Sequence, residues 1–163
     1  MDETCHDEAW ASPMKRSLKI LSANVKRLFN KLDELKNLVD EEKPDMAAFN
    51  QTWFSTDIAD SEVLLRGYQL FRRDRPTREG GVIVYVTGKL TAMAEEPIPA
   101  RESQILNITI SAKYARPLRI SVVYRSPNQT SNQETILIAE QYKTSENKEI
   151  LVVGDFNSPG ADW

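Results

Sequence analysis

The chain has one cysteine and one histidine in 163 residues, Cys5 and His6, and they stand side by side near the N-terminus. A single cysteine excludes an internal disulfide framework. The shortage of both residue types also excludes a zinc site built from the usual Cys/His set. Long apolar runs are missing as well. The longest are strand-length, far below the roughly 20 residues of a membrane span. The opening MDETCHDEAWASPMKRS is acidic and lacks the basic-then-apolar order of a secretory signal. We read residues 1–17 as an acidic, disordered tail, with Cys5 and His6 as bystanders in it. Net positive charge is absent too: the formal charge is -3, which does not advertise nucleic-acid binding. Its distribution says more. Arg72, Arg73, Arg75 and Arg78 crowd one short loop, and a local basic patch can track phosphates even on an acidic domain.

What is present is a globular composition, 40% hydrophobic and 28% charged, on a chain long enough for one domain with a core. LKILSANV (18–25) has strand character. Leu28, Leu32, Leu35 and Leu38/Val39 then recur at helical spacing among lysines and acids, and Pro44 closes that helix. DMAAFNQT (45–52) resumes a buried strand, so the order is that of a parallel βαβ unit. The segments 63–73, 80–87, 103–111 and 116–125 are strand-like and separated by turn residues, which predicts antiparallel hairpins. A helix is expected over 132–142 and a last strand over 148–153. The class is a mixed-sheet α/β domain.

Polar residues collect where the apolar strands end: Asn24, Gln51, Tyr124 with Arg125, and Asp155 with Asn157. In open α/β sheets the ligand crevice lies beyond such strand ends. Asp155 and Asn157 are two apart, so an extended backbone would turn both side chains to one side. One carboxylate, several amides and an arginine suit Mg²⁺ and a phosphate better than zinc. Each residue taken singly also reads as a strand-end cap or turn former; recurrence at successive strand ends favours a site.

The segments LSANV, KPDMAAFNQTW, GYQLFRRDR, GGVIVYV, VVYRSPN and VVGDFNSPGADW occur in that order, and the set resembles the endonuclease/exonuclease/phosphatase family. Within it the wording is most similar to the endonuclease domain of non-LTR retrotransposons, from about Leu18 to Trp163. The resemblance implies a DNase I-like four-layer α/β sandwich with mixed sheets, of which this chain would hold the N-terminal two-thirds. It implies a Mg²⁺-dependent phosphodiesterase that nicks DNA by in-line attack of water, in a parent polypeptide that can also carry a reverse transcriptase. Asn24 matches the asparagine of the metal and phosphate region, and Tyr124 the position reaching the scissile phosphate. Asp155 matches the aspartate that prepares the water, and Asn157 the asparagine that binds a phosphate oxygen. Arg72, Arg73, Arg75, Arg78 and Arg125 become candidate backbone contacts.

Two departures stand out. Gln51, in NQTW, occupies the place of the family's principal metal ligand, a glutamate, and brings no negative charge. The family's closing histidine has no counterpart outside the tail. Impaired catalysis is therefore expected, with a non-catalytic nucleic-acid or protein binding module as the alternative.

Overall fold

The computed structural model describes residues 17–75, 79–96, 104–127, 130 and 149–156. Residues 1–16 of the acidic tail, Arg78, the expected helix over 132–142 and Asn157 lie outside them.

The described strands form two four-stranded sheets. The first has the order β1-β2-β4-β3, from Ile20–Asn24 (β1), Met46–Asn50 (β2), Val82–Thr87 (β4) and Tyr68–Arg73 (β3). The second has the order β5-β6-β7-β8, from Thr91–Ala94 (β5), Gln104–Ser111 (β6), Leu118–Tyr124 (β7) and Glu149–Asp155 (β8). Strands β1 and β2 pair in parallel, as do β7 and β8, while the other neighbours are antiparallel. The expected βαβ unit and hairpins are both present.

Alternation along the strands builds two cores. Ala47, Phe49, Ile83 and Tyr85 face the helical side, where the helix α1 (Leu32–Glu42) brings Leu32, Leu35 and Val39 down onto the first sheet. Met46, Ala48, Val82, Val84 and Val86 face the other way, against Leu106, Ile108, Ile120 and Val122 of the second sheet. The sheets are thus glued face to face by β-branched and other apolar side chains at period two. Burying each such side chain stabilises the fold by about 1.5–3 kcal/mol.

The structure adjusts four local expectations. The helix opens with a short 3-10 turn at Leu28–Lys31, because Lys26 and Arg27 before it are left-handed and turn the chain sharply. Its end precedes Pro44: Lys43 is left-handed and its N–H donates to the Val39 carbonyl. Residues 63–67 are not strand. Asp60–Val63 is a single helical turn (α2), and Gly67, at φ +84, turns the chain into β3. Val63 reads as strand in sequence, but its side chain fills the core beneath α1 and Tyr85 donates a 2.7 Å hydrogen bond to its carbonyl. Strand β5 was not expected, since TAMA is short and mostly exposed and carries no alternation.

Candidate active site at the strand ends

Period two carries the inter-sheet layer to one end, where it changes character. Position 24 follows Ile20, position 50 follows Met46 and Ala48, position 124 follows Ile120 and Val122, and position 155 follows Leu151 and Val153. These four places hold Asn24, Asn50, Tyr124 and Asp155. All lie at the C-terminal ends of the parallel pairs: Asn24 is in register with Asn50, and Tyr124 with Asp155. An otherwise apolar inter-sheet layer therefore opens into a polar mouth at the strand ends, the place where ligand crevices lie in open α/β sheets.

Asp155 is the centre of it. Its Oδ2 accepts a 2.6 Å hydrogen bond from Asn24 Nδ2 and a 3.2 Å one from Gln51 Nε2. These contacts join residues 131 and 104 positions apart in the chain, across the two sheets. Tyr124 is buried, and burial pushes its phenol up; Arg75 opposes that shift, while Asp155 and Glu79 add to it. The hydroxyl therefore stays protonated at neutral pH and carries a proton that it could donate.

Backbone geometry fixes Gln51. It sits just past β2 in the left-handed region, at φ 58, which non-glycine residues enter rarely. The two loops leaving β1 and β2 are laced together by Val25 N–H to Asn50 O, Arg27 N–H to Gln51 O and Leu28 N–H to Thr52 O. On the far side Trp53 N–H donates to Gly80 O at 2.9 Å. Gly81 is needed for that approach, since a Cβ there would overlap Thr52 Oγ1. Left-handed residues held by such a lattice store strain of about 1–3 kcal/mol each and cluster at functional sites.

Sequence reasoning missed Asn50. It is 2% exposed, and its Oδ1 has no hydrogen-bond partner. The signal was available: Asn50 shares a face with Met46 and Ala48, whereas Gln51 does not.

The arginines divide by role. Arg72 Nη2 donates to the Ile58 carbonyl at 2.6 Å and pairs with Asp74 at 2.7 Å, its Nη1 lies 3.2 Å from Asp60, and the guanidinium sits over the Phe54 ring. Arg73 donates to the Ile105 carbonyl at 2.9 Å and so ties the two sheets. Arg125 is buried, its N–H donates to the Asp155 carbonyl and its Nη1 to the Phe156 carbonyl, which braces the end of β8. Arg75 acts electrostatically on Tyr124 and stands beside the mouth. Asn157 and Arg78 lie outside the described residues.

Arg72 gives a clean test of this division. Its partner Asp74 is largely buried, and burial pushes that carboxyl up while Arg72 pulls it down. Arg72→Ala would leave the carboxylate without its counter-charge, an error worth about 3–5 kcal/mol in buried pairs. Discounted for partial exposure, about 2–3 kcal/mol of folding stability is expected to go, measured by urea denaturation. A variant as stable as wild type would show that the pair does no structural service.

Could this set hold Mg²⁺? Among the described residues no group of three His, Cys, Asp or Glu side chains comes together. The mouth offers one carboxylate, and both neighbouring amides turn their N–H groups toward it. To ligate a cation, Asn24 and Gln51 would have to turn over and give up both hydrogen bonds. Asn50 Oδ1 is a buried oxygen with no hydrogen-bond partner, but it is a neutral amide. Hard dications need ionised oxygens to offset their dehydration. The residues present do not fit a tightly held Mg²⁺.

No protein-family model matches the chain, and no curated protein matches it in sequence. Solved structures do match. A 3′ phosphatase, NExo, from Neisseria, determined with a product DNA hairpin, superposes with a TM-score of 0.66 at 18% identity, over 90% of this chain and 60% of that one. TDP2 from Caenorhabditis elegans gives 0.67 at 12% identity, over 89% and 51%. The human Nocturnin catalytic domain, determined with a bound sulfate, gives 0.59 at 17% identity, over 86% and 64%. The chain therefore spans about half to two-thirds of the length of these structures, and its two packed mixed sheets have the DNase I-like fold.

Proposed function

We propose that the strand-end cleft binds a DNA phosphodiester and that hydrolysis there is attenuated, the domain deriving from a Mg²⁺-dependent DNA endonuclease. The observation that carries this reading is the convergence of Asn24, Gln51, Tyr124 and Asp155 on one mouth of an otherwise apolar layer. DNA hairpin and sulfate in two of the similar structures supply the class of ligand, a phosphate or its mimic.

In this reading Tyr124 donates its O–H to a non-bridging phosphate oxygen, and Asn24 offers its amide N–H₂ beside it. Asp155 accepts a hydrogen bond from the attacking water and orients it for in-line approach, while Arg75 offsets the phosphate charge. Asn157 would add a further N–H donor, as its place in GDFN implies. Gln51 is the weak member. A neutral amide holds Asp155 in place but adds no charge with which to retain a divalent cation, so the residues bind and orient without the electrophile. The wording of GYQLFRRDR and GDFNSPGADW favours descent from a non-LTR retrotransposon endonuclease, whose parent polypeptide pairs it with a reverse transcriptase.

Binding is testable without catalysis. A labelled DNA duplex is expected to bind with an affinity that falls steeply as salt rises. Arg75→Ala should lower the salt slope by about 1 and weaken binding uniformly across sequences. Affinity indifferent to salt would remove the phosphate from the account.

A further inference from the structure

Beside the strand-end cleft lies a second concavity of about 420 Å³, lined by Arg27, Phe29, Asn30, Thr52 and Trp53. We propose that it receives an unpaired nucleobase next to the phosphate held by Tyr124 and Asn24; the inference rests on that reading of the cleft.

The two sites share a wall. Thr52 and Trp53 directly follow Gln51, whose amide reaches Asp155, and Arg27 N–H donates to the Gln51 carbonyl at 3.1 Å. A strand held by its phosphate in the cleft would therefore meet this concavity across the wall formed by Gln51, Thr52 and Trp53. The lining has the parts that base recognition uses. Phe29 is a large aromatic left 50% exposed, a flat face on which any base can stack. Asn30 offers a paired donor and acceptor to a base edge. Arg27 lies over the Trp53 ring at 4.8 Å, which fixes both side chains and keeps a positive charge at the rim for the adjoining phosphate. Among the described residues no carboxylate lines the space.

Two further observations mark the place as built. Arg27 and Trp53 are both left-handed, at φ 61 and φ 56, so strain sits on the two residues that stack. Thr52 is wholly buried in this wall, and its Oγ1 and the Trp53 Nε1 have no hydrogen-bond partner. These buried atoms lie behind the surface that a seated base would touch, so the wall is held by packing and backbone rather than by side-chain hydrogen bonds. The volume falls in the range of small-ligand pockets.

The experiment compares two single-stranded oligodeoxynucleotides of equal length and phosphate number by fluorescence anisotropy, one ordinary and one with a central run of abasic residues. Wild type should bind the ordinary strand about tenfold more tightly, the scale of one stacked base. Phe29→Ala should erase that preference while leaving the salt dependence, and Phe29→Tyr should keep it. Phe29 is half exposed, so neither change opens the core. Equal binding of both strands by wild type, with salt dependence intact, would overturn the base subsite alone. Failure of both strands to bind would sink the phosphate cleft and the subsite together. A preference that survives Phe29→Ala would place the base elsewhere and refute the assignment.

Discussion

Gln51→Glu is expected to make the protein less stable in the absence of metal and to make that stability depend on Mg²⁺. Gln51 Nε2 now donates to Asp155 Oδ2 at 3.2 Å. The substitution removes that donor and sets a second carboxylate against the first, which disfavours ionisation of both. A loss of about 2 kcal/mol follows from the broken charge-assisted bond, or about 4–8 °C in Tm for a chain of this size. A divalent cation reverses the balance, because two ionised oxygens and an adjacent amide carbonyl can share it. At Mg²⁺ concentrations about 100 times Kd the gain is about 2.7 kcal/mol, enough to restore the loss. Thermal unfolding with and without Mg²⁺ reads both effects, and wild type should respond little. Equal Mg²⁺ stabilisation of wild type and variant would show that Gln51 does not limit the metal.

Gly154→Ala should be the most damaging single methyl in the described chain. Gly154 immediately precedes Asp155 in β8, at φ +152, and a Cβ there would run into the backbone of Val123 on the paired strand. The clash is with backbone, so no rotamer change relieves it, and β8 must shift away from β7. Strain and overpacking together cost about 3 kcal/mol or more, and about 6–12 °C in Tm. Asp155 moves with the strand, so DNA affinity should fall in the same variant. Gly67→Ala is the control: its φ is also positive, +84, but nothing lies within 4 Å of the added Cβ. It should cost only the backbone term of about 1 kcal/mol. If the two variants unfold alike, the close approach at Gly154 has no energetic weight.

Much of this was legible in the residues because period two and period 3.6 are written in apolar side chains. The βαβ opening, the hairpins and the strand-end positions of Asn24, Tyr124 and Asp155 follow from that pattern. Three features do not. Val63 is apolar whether it ends a helical turn or begins a strand, and only tertiary contact with Tyr85 decides. Asn50 and Gln51 are adjacent amides at a strand end; sequence singles out the one aligned with the resembling motif, while burial and strand parity bring in the other. The left-handed run through Arg27, Gln51 and Trp53 leaves no trace in residue type, since none is glycine, and it exists because three backbone hydrogen bonds lock the two loops together. Arginine clustering misleads in the opposite way. Arg72, Arg73 and Arg75 look equivalent in sequence, but Arg72 and Arg73 lie on β3, which points them to opposite faces where each meets internal carbonyls or acids, while Arg75 lies past the strand end and acts on Tyr124.

In the function proposed above, the cleft grips a phosphodiester but lacks the charge to hydrolyse it efficiently. Incubating wild type with supercoiled plasmid in Mg²⁺, at low and high salt, and reading gel mobility and nicking together tests it most directly, with Asp155→Ala alongside. A salt-sensitive shift is expected, with nicking no greater than that of Asp155→Ala. Sustained nicking by wild type that disappears in Asp155→Ala would contradict it.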